Sequence, residues 1–540
     1  MKKYPSPEER GWHGNRQADG LGEGKVLNHT SRKFYSSPFK EGFFYFILIF
    51  LIFLPACSRP PAHESDTVVM ALDESPQNLD PRVGTDAASE RLSQLIFSSL
   101  VKRSVTYDIE PDLAVSWEIP DPTTYIFHLR TDAKFHDGRP VTSRDVLFTF
   151  RSVLTGAIQT PKAGTYRLVE SVEAPDDRTV VFKLKEPFAP FLWNLTRGAI
   201  GIVPDGAPAD FAKNPVGSGA FKFVRFVPDS EVVLERNDGY YGNKPNVSRF
   251  QFKIIPEAIV RALELKKGSV DIALSVLTPD MVEALRGSKD LDVLQAPGTN
   301  FQYVAFNLKD PLFNDVRVRK AIAYAIDRDK IIEYLWRGQA KPATGVIPPG
   351  NWSYAADVET YPYNPERARE LLRETGHENM SFTYRTATDD TGRLMAAVLQ
   401  QQLREVGIQM EIRSNEFATF YSDVVKGNFQ MYSLRWIGGN NDPDILNFVF
   451  HSMMFPPSGA NRGRYANSEV DRLIDLARRE VNIEKRKVAY QRIQRIVAED
   501  LPYVNLFYVD NVAVYNKRIG GIRLYPAGEY EFLSDVSIRN

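Results

Sequence analysis

Short apolar runs and helical apolar stripes take turns along this chain. Strand-like runs fall at Thr67–Leu72, 125–129 and Thr179–Leu184. Between them, Asp86 is a plausible N-cap for a helix that places Leu92, Leu95, Ile96 and Leu100 on one face. Thr142 can cap a second helix running through Asp145 and Phe148. A third lies within residues 255–274 between two strands, with Pro256 at its start and Gly268 where a left-handed C-cap is wanted. The same grammar recurs at Asn364-Pro365, closed by Gly376. It recurs in the helix ending at Val406-Gly407, which leads into a strand over 408–413. Helices over 467–480 and Ile483–Asp500 precede a late strand over 503–508. Strands alternate with helices throughout, so the fold class is α/β.

Two segments read as crossings between lobes. One is 300–307, a strand leading into a long helix over 316–326; the other is 502–508. If both join the same two lobes, the first lobe is discontinuous, and the paired strands have the geometry of a hinge. The expected limits are 67–300 for lobe I, with an extra subdomain at about 105–213, then 301–502 for lobe II and 503–540 for the return to lobe I.

The start of the chain carries a different signal. Residues 43–54 are an uncharged apolar run, preceded by Lys33 and Lys40 and followed by Leu54-Pro55-Ala56-Cys57. A membrane span needs roughly 20 apolar residues; a secretory signal core needs roughly 7–15. Small Ala56 before Cys57 suits signal cleavage and lipidation of the cysteine. The alternative is a buried thiol in a core helix. On the lipoprotein reading, 1–56 is leader and signal peptide, and 57–66 is a Pro-rich linker. The remainder is tethered by lipid on the extracytoplasmic side of a bacterial membrane.

Composition narrows the rest. Cys57 is the only cysteine in 540 residues, so neither an internal disulfide nor a thiolate zinc site is available. A hydrophobic content of 43% with 12% aromatics fits a folded globular protein, and the length fits more than one domain. A formal net charge of -1 favours no nucleic-acid partner. His128 sits in an alternating strand and His136-Asp137-Gly138 reads as a turn, so no metal is expected. Gly217-Ser218-Gly219 lacks the Lys and Ser/Thr of a phosphate loop and the spacing of a nucleophile elbow. It reads as a bend where two backbones approach. No catalytic motif and no cofactor motif emerges. Asn441-Asp442-Pro443-Asp444 is a natural helix start, and capping alone would account for Asp442.

Four blocks together resemble the bacterial extracellular solute-binding proteins of family 5, the peptide type of ABC uptake transporter receptor. The first runs from Pro111-Asp112-Leu113-Ala114 through Ser116-Trp117-Glu118 and Phe127-His128-Leu129-Arg130 to Lys134-Phe135-His136-Asp137-Gly138. The others are Asn214-Pro215-Val216-Gly217-Ser218-Gly219-Ala220-Phe221, Leu312-Phe313-Asn314-Asp315, and Trp436-Ile437-Gly438-Gly439-Asn440-Asn441-Asp442-Pro443-Asp444. The resemblance implies a class II periplasmic-binding-protein fold: two lobes, an extra subdomain in the first, and two hinge strands. It also implies a monomer that hands its cargo to a permease and ATPase.

In the resembling family the strand end at Arg435 to Asn440 lines the cleft. That makes Trp436 a flat wall, Gly438 and Gly439 points of close approach, and Asn440 a polar contact, with Asp442 and Arg435 beside them. Tyr303 and Asn307 on the first crossing strand are further candidates, as are Phe417, Phe420 and Tyr421, although an aromatic stripe on a helix is more often core. On this reading Trp436→Ala weakens ligand binding and leaves the fold intact. Peptide receptors of the family carry an aspartate where this chain has Gly439. A desolvated peptide ammonium without that carboxylate is unfavourable by a few kcal/mol, so a non-peptide solute stays open. An extracellular hydrolase and a solute sensor on the same scaffold are the competing classes.

Overall fold

The computed structural model describes residues 66–106, 108–436 and 442–539. Cys57, the expected signal and the expected linker up to residue 65 lie outside the described residues. Among the described residues no helix is long and apolar enough to cross a membrane.

β1 (Thr67–Leu72) is buried along its whole length. That is the pattern of a strand with parallel neighbours and both faces covered. α1 (Ala87–Ile96) follows, capped by Asp86, which accepts from the Ser89 amide, and buries Leu92, Leu95 and Ile96. The chain then leaves for a subdomain. β2 (Ala114–Asp121), β3 (Thr124–Leu129), β4 (Val169–Asp176) and β5 (Thr179–Leu184) form an antiparallel sheet of order β2-β3-β5-β4. α2 (Ser143–Leu154) packs on it, and the Thr142 amide and hydroxyl both donate to Asp145. Phe127, Phe150, Phe182 and Phe191 meet edge-on at the centre of this separate core.

The chain returns through β6 (Phe221–Val227), β7 (Glu231–Arg236) and β8 (Arg249–Ile254), the last parallel to β1. α3 (Ala258–Lys267) begins two residues after Pro256 and ends at Gly268, whose φ of 79° supplies the left-handed C-cap. β9 (Ile272–Leu274) pairs with the other side of β1.

β10 (Leu291–Phe306) is far longer than the expected crossing over 300–307. It begins in the core of lobe I at Leu291 and ends in that of lobe II at Val304 and Phe306. Beyond it, helices α4 (Val316–Ala325), α5 (Arg328–Trp336) and α6 (Pro365–Thr375) lead to β11 (Ser381–Ala387). α7 (Asp390–Glu405) and β12 (Gln409–Asn415) come next, then α8 (Phe417–Lys426) and β13 (Met431–Trp436). α9 (Ile445–Phe450), α10 (Ser468–Arg479) and α11 (Ile483–Asp500) complete lobe II. α4 to α7 cover one face of the sheet and α8 to α11 the other.

β14 (Tyr503–Asn516) then runs antiparallel to β10 along nearly its whole length, back into lobe I. One eleven-stranded sheet, of order β12-β11-β13-β10-β14-β9-β1-β8-β7-β6 with a short strand beside β14, therefore spans both lobes. Its register slips between Ala296 and Asn300. There Gly298 lies so close to β14 that a Cβ would sit 2.2 Å from the Val509 carbonyl oxygen.

Candidate ligand-binding cleft

β11 and β13 are parallel, and their carboxyl ends sit beside the amino ends of α7 and α9. Ligands of open α/β sheets lie at such carboxyl ends. On this side of the sheet a cavity of about 1150 Å³ is enclosed by residues of both lobes. Lobe I contributes Asp86, Glu90, Arg91 and Gln94 of α1, the stretch at Phe188, Pro190, Trp193 and Asn194, and Ala527, Gly528 and Glu529. Lobe II contributes Asp442, Asp444, Ile445, Asn447, Phe448 and Arg478.

The walls carry both signs of charge, unevenly compensated. On lobe II, Asp442 accepts from the Asp444 amide at 2.8 Å and faces Arg486 at 3.2 Å. Asp444 has Arg478 Nε at 2.8 Å, yet burial, with Asp442 adding, pushes its carboxyl up to about 7 against the pull of Arg478. On lobe I, Asp86 Oδ1 caps α1, while its buried Oδ2 has no hydrogen-bond partner. One turn on, Glu90 has its pKa raised by burial against the opposing charges of Lys162 and Arg103. Glu74 is raised by burial and by Asp73. Arg103 meets Glu529 at 3.5 Å.

The lobes touch across the cleft. The Arg478 guanidinium lies 5.2 Å from the centre of the Phe188 ring. Nearer the crossing strands, Arg337 pairs with Asp280 at 2.7 Å.

The residues singled out from sequence fall in different places. Asp442 is in the cavity wall. Gly438, Gly439 and Asn440 lie outside the described residues. Trp436 ends β13 but does not line the cavity; it packs edge-on against Phe448, which does. Its other face runs parallel to Tyr303, with ring centroids 6.4 Å apart. Tyr303 is 1% exposed and stacks on Tyr503 at 4.3 Å, so it is a core residue. Asn307 is also structural: its amide donates to the Gly427 and Phe429 carbonyls and accepts from the Lys309 amide. Arg435 is on the opposite face of the sheet from Trp436. It donates to Gln302 and lies over the Trp336 ring at 5.2 Å, and burial lowers its pKa. Phe420 is buried in the core, whereas Phe417 and Tyr421 stay exposed.

Neither histidine of the first block is free. His128 pairs with Glu118 at 3.0 Å. His136 Nδ1 accepts from the Gly217 amide, which leaves Nε2–H to donate to the Gly219 carbonyl. Among the described residues no group of three His, Cys, Asp or Glu side chains is arranged to hold a metal ion.

Comparison with known proteins gives one picture. The family model described as bacterial extracellular solute-binding proteins, family 5, middle region, matches residues 108–452. The dipeptide-binding protein of Escherichia coli is 28% identical over 510 residues, covering 88% of this chain and 95% of its own. The solved structure of DppA from Helicobacter pylori, in complex with the peptide STSA, is 27% identical with a TM-score of 0.73, covering 88% of this chain and 98% of its own. NikZ from Campylobacter jejuni, in complex with Ni(L-His), is 26% identical with a TM-score of 0.74, covering 88% and 99%.

Proposed function

Since the chain belongs to the family 5 bacterial extracellular solute-binding proteins, whose work is binding and not catalysis, we propose that it is the receptor of an ABC uptake transporter and captures a short peptide or similar zwitterionic solute between its lobes. The observation that carries this reading is the cavity, whose walls come from both lobes and present carboxylates and guanidiniums together. At about 1150 Å³ it exceeds the roughly 300–1,000 Å³ of a drug-sized site. It therefore has room for several residues of peptide and their water. Asp86 Oδ2 and Glu90 are natural acceptors for a ligand ammonium, whatever Gly439 does. A solute there touches lobe I and lobe II at once only when the cleft is shut, so binding favours the closed state. Micromolar affinity corresponds to about 8 kcal/mol, within reach of a few buried charged contacts.

On this reading the closed shape is what the permease and its ATPase recognise. Cys57 carries the lipid that keeps the receptor on the extracytoplasmic face of the membrane, and the protein works as a monomer. A hydrolase on the same scaffold is disfavoured because Asp442 and Asp444 are each held by a guanidinium. Native mass spectra of the protein as purified, and after unfolding and refolding, test the reading. A removable mass that fragments into amino acids is expected. A removable non-peptide mass, with no uptake of added di- to tetrapeptides by the refolded protein, overturns the peptide assignment.

A further inference from the structure

Behind the cavity wall, lobe II buries a cation that no carboxylate of the described residues neutralises. Arg462 is 7% exposed. Its guanidinium lies 5.1 Å from the Trp436 ring centre and 5.2 Å from that of Tyr421, and Nη2 donates to the Tyr421 hydroxyl at 2.9 Å. Among the described residues no Asp or Glu makes an ion pair with it, whereas buried Arg82, Arg197 and Arg486 each have one, and buried Arg261 and Arg319 donate to backbone carbonyls instead. The tyrosine hydroxyls around it are uncharged and both donate and accept. Its charge is felt by Tyr303, Tyr432 and Tyr503. The Tyr303 hydroxyl sits among Arg462, Tyr432 and Tyr503, while the Nε1 of Trp436 is buried without a hydrogen-bond partner.

Cation–π contacts offset part of the loss of water around a guanidinium, but they satisfy none of its N–H groups. Neutral hydroxyls and rings leave the charge itself uncompensated, and a buried charge without a counter-ion is unfavourable. Two observations place this cluster against the cavity wall and near solvent, while Arg462, Trp436 and Tyr421 themselves stand outside the cavity lining. Trp436 packs edge-on against Phe448, an exposed residue of the cavity wall. Tyr421, which holds the guanidinium, is 38% exposed.

We propose that Arg462, flanked by Trp436 and Tyr421, is an anion-capturing subsite that receives a carboxylate of the bound solute. The assignment rests on the solute-binding reading and adds a polarity to it. Carboxylates of lobe I face the solute's cationic end, and Arg462 of lobe II takes its anionic one. Closure would then be driven by a ligand that is zwitterionic along its length. The carboxylate has two sources in a peptide, the C-terminus or an acidic side chain, with the same chemistry.

Two titrations of the full chain decide it. In the first, propionate and its neutral isostere propionamide are added while tryptophan emission is followed, with Trp436→Phe identifying the reporter. A saturable change with propionate alone is expected, weakened at least tenfold in Arg462→Gln and partly kept in Arg462→Lys. An equal response in wild type and Arg462→Gln, or none in wild type, overturns the subsite. In the second, calorimetry compares Ala-Ala-Ala with its C-terminal amide, and Ala-Glu-Ala amide with Ala-Gln-Ala amide. A tenfold or larger preference within the first pair assigns the subsite to the terminus, and within the second to a side chain. Arg462→Gln should erase the preference while retaining neutral binding. Peptide binding without either preference overturns the subsite and leaves the receptor reading standing. If no peptide binds, the peptide reading fails and the propionate titration still decides the role of Arg462. Melting curves of each variant identify any that has lost its fold.

Discussion

Replacing Gly217 by alanine tests how α1, which carries the lobe I wall of the cleft, is held in place. The Gly217-Ser218-Gly219 bend lies against the last turn of that helix. A Cβ on Gly217 would sit 1.9 Å from the Ile96 carbonyl oxygen and 2.7 Å from its carbon. The two backbones must part by more than about 1 Å to restore ordinary contact. They are pinned where they are. The Gly219 amide donates to Ile96 at 2.9 Å, and the His136 amide donates to the Gly217 carbonyl at 2.8 Å. Ser98 donates to the Ser218 carbonyl at 3.1 Å. Overpacking of this kind costs about 1–3 kcal/mol. Each buried hydrogen bond broken by the shift adds about 1 kcal/mol or more. Gly217→Ala should therefore lose about 3–6 kcal/mol, a large share of the roughly 5–15 kcal/mol that holds a domain folded. Gly164→Ala is the control: it lies in the cleft wall, and its Cβ would meet nothing within 4 Å. It should be neutral or stabilised by about 0.4–1 kcal/mol. Denaturant unfolding, followed by both tryptophan emission and circular dichroism, measures the difference, the two probes checking for separate domain transitions. If Gly217→Ala falls within about 1 kcal/mol of Gly164→Ala, the close approach is not rigid and the reasoning fails.

Three further outcomes are expected. Phe188→Leu keeps the apolar packing of the subdomain but removes the ring face under Arg478; the loss of about 1 kcal/mol from the closed state alone should weaken ligand affinity about fivefold and enlarge the ligand-free protein in X-ray scattering. Burial depresses the His136 imidazole to about 4, so below its ordinary value near 6.5 the unfolded chain binds a proton that the folded one refuses. Stability from this group is full above about 6.5 and falls as pH drops toward 4, by at most about 1.4 kcal/mol per pH unit; a wild-type melting profile flat across that window, or the same slope in His136→Gln, would remove this role. Asp112 is buried with Arg197 in a two-pronged pair at 2.7 and 2.5 Å, and Tyr241 donates to it as well. Asp112→Ala should cost about 3–5 kcal/mol, with Arg197→Met added on top restoring part of the loss; additive effects in denaturant titrations would show the pair to be uncoupled.

Helix ends were the most legible part of the fold. Asp86, Asn364 and Asn467 each cap the helix they announce, because a short side-chain oxygen reaches a first-turn amide. Gly268 and Gly376 end theirs with positive φ. The two long crossing strands were seen only in part, for reasons that lie in their middles. Pro297 and Gly298 fall just before the expected crossing over 300–307, and they occupy a bulge where β10 closes on β14. Asp510 and Asn511 read as the loop beyond a strand ending at 508. Both are buried inside β14, where Asn511 donates to the Tyr525 and Pro526 carbonyls and Asp510 accepts from Gln295. A polar pair satisfied by distant chain is invisible to a rule that counts apolar alternation.

Of the described residues singled out in sequence as ligand contacts, only Asp442 stands in the wall of the candidate cleft. The end of β13 does abut the cleft, yet the aromatic residues that drew attention there, Tyr303 and Trp436, are stacked into lobe II behind Phe448. Whether an aromatic on a strand end faces solute or core depends on what packs over it. Here that is Tyr503, two hundred residues away. The charged wall of α1 was hidden for the converse reason: Asp86, Glu90 and Arg91 are the polar stripe of an amphipathic helix, which alone means solvent. Only the approach of the second lobe turns that stripe into the side of a cavity. Arg462 was hidden most completely. Within Gly459-Ala460-Asn461-Arg462-Gly463-Arg464 it reads as a solvated loop cation. Asn461 reverses that reading by bonding the Phe450, His451 and Tyr465 carbonyls, which folds the loop inward and carries Arg462 under the aromatic cluster. The residues to which a polarity of this cleft is assigned by proposal are thus ordinary surface charges in sequence, made unusual by what is folded against them.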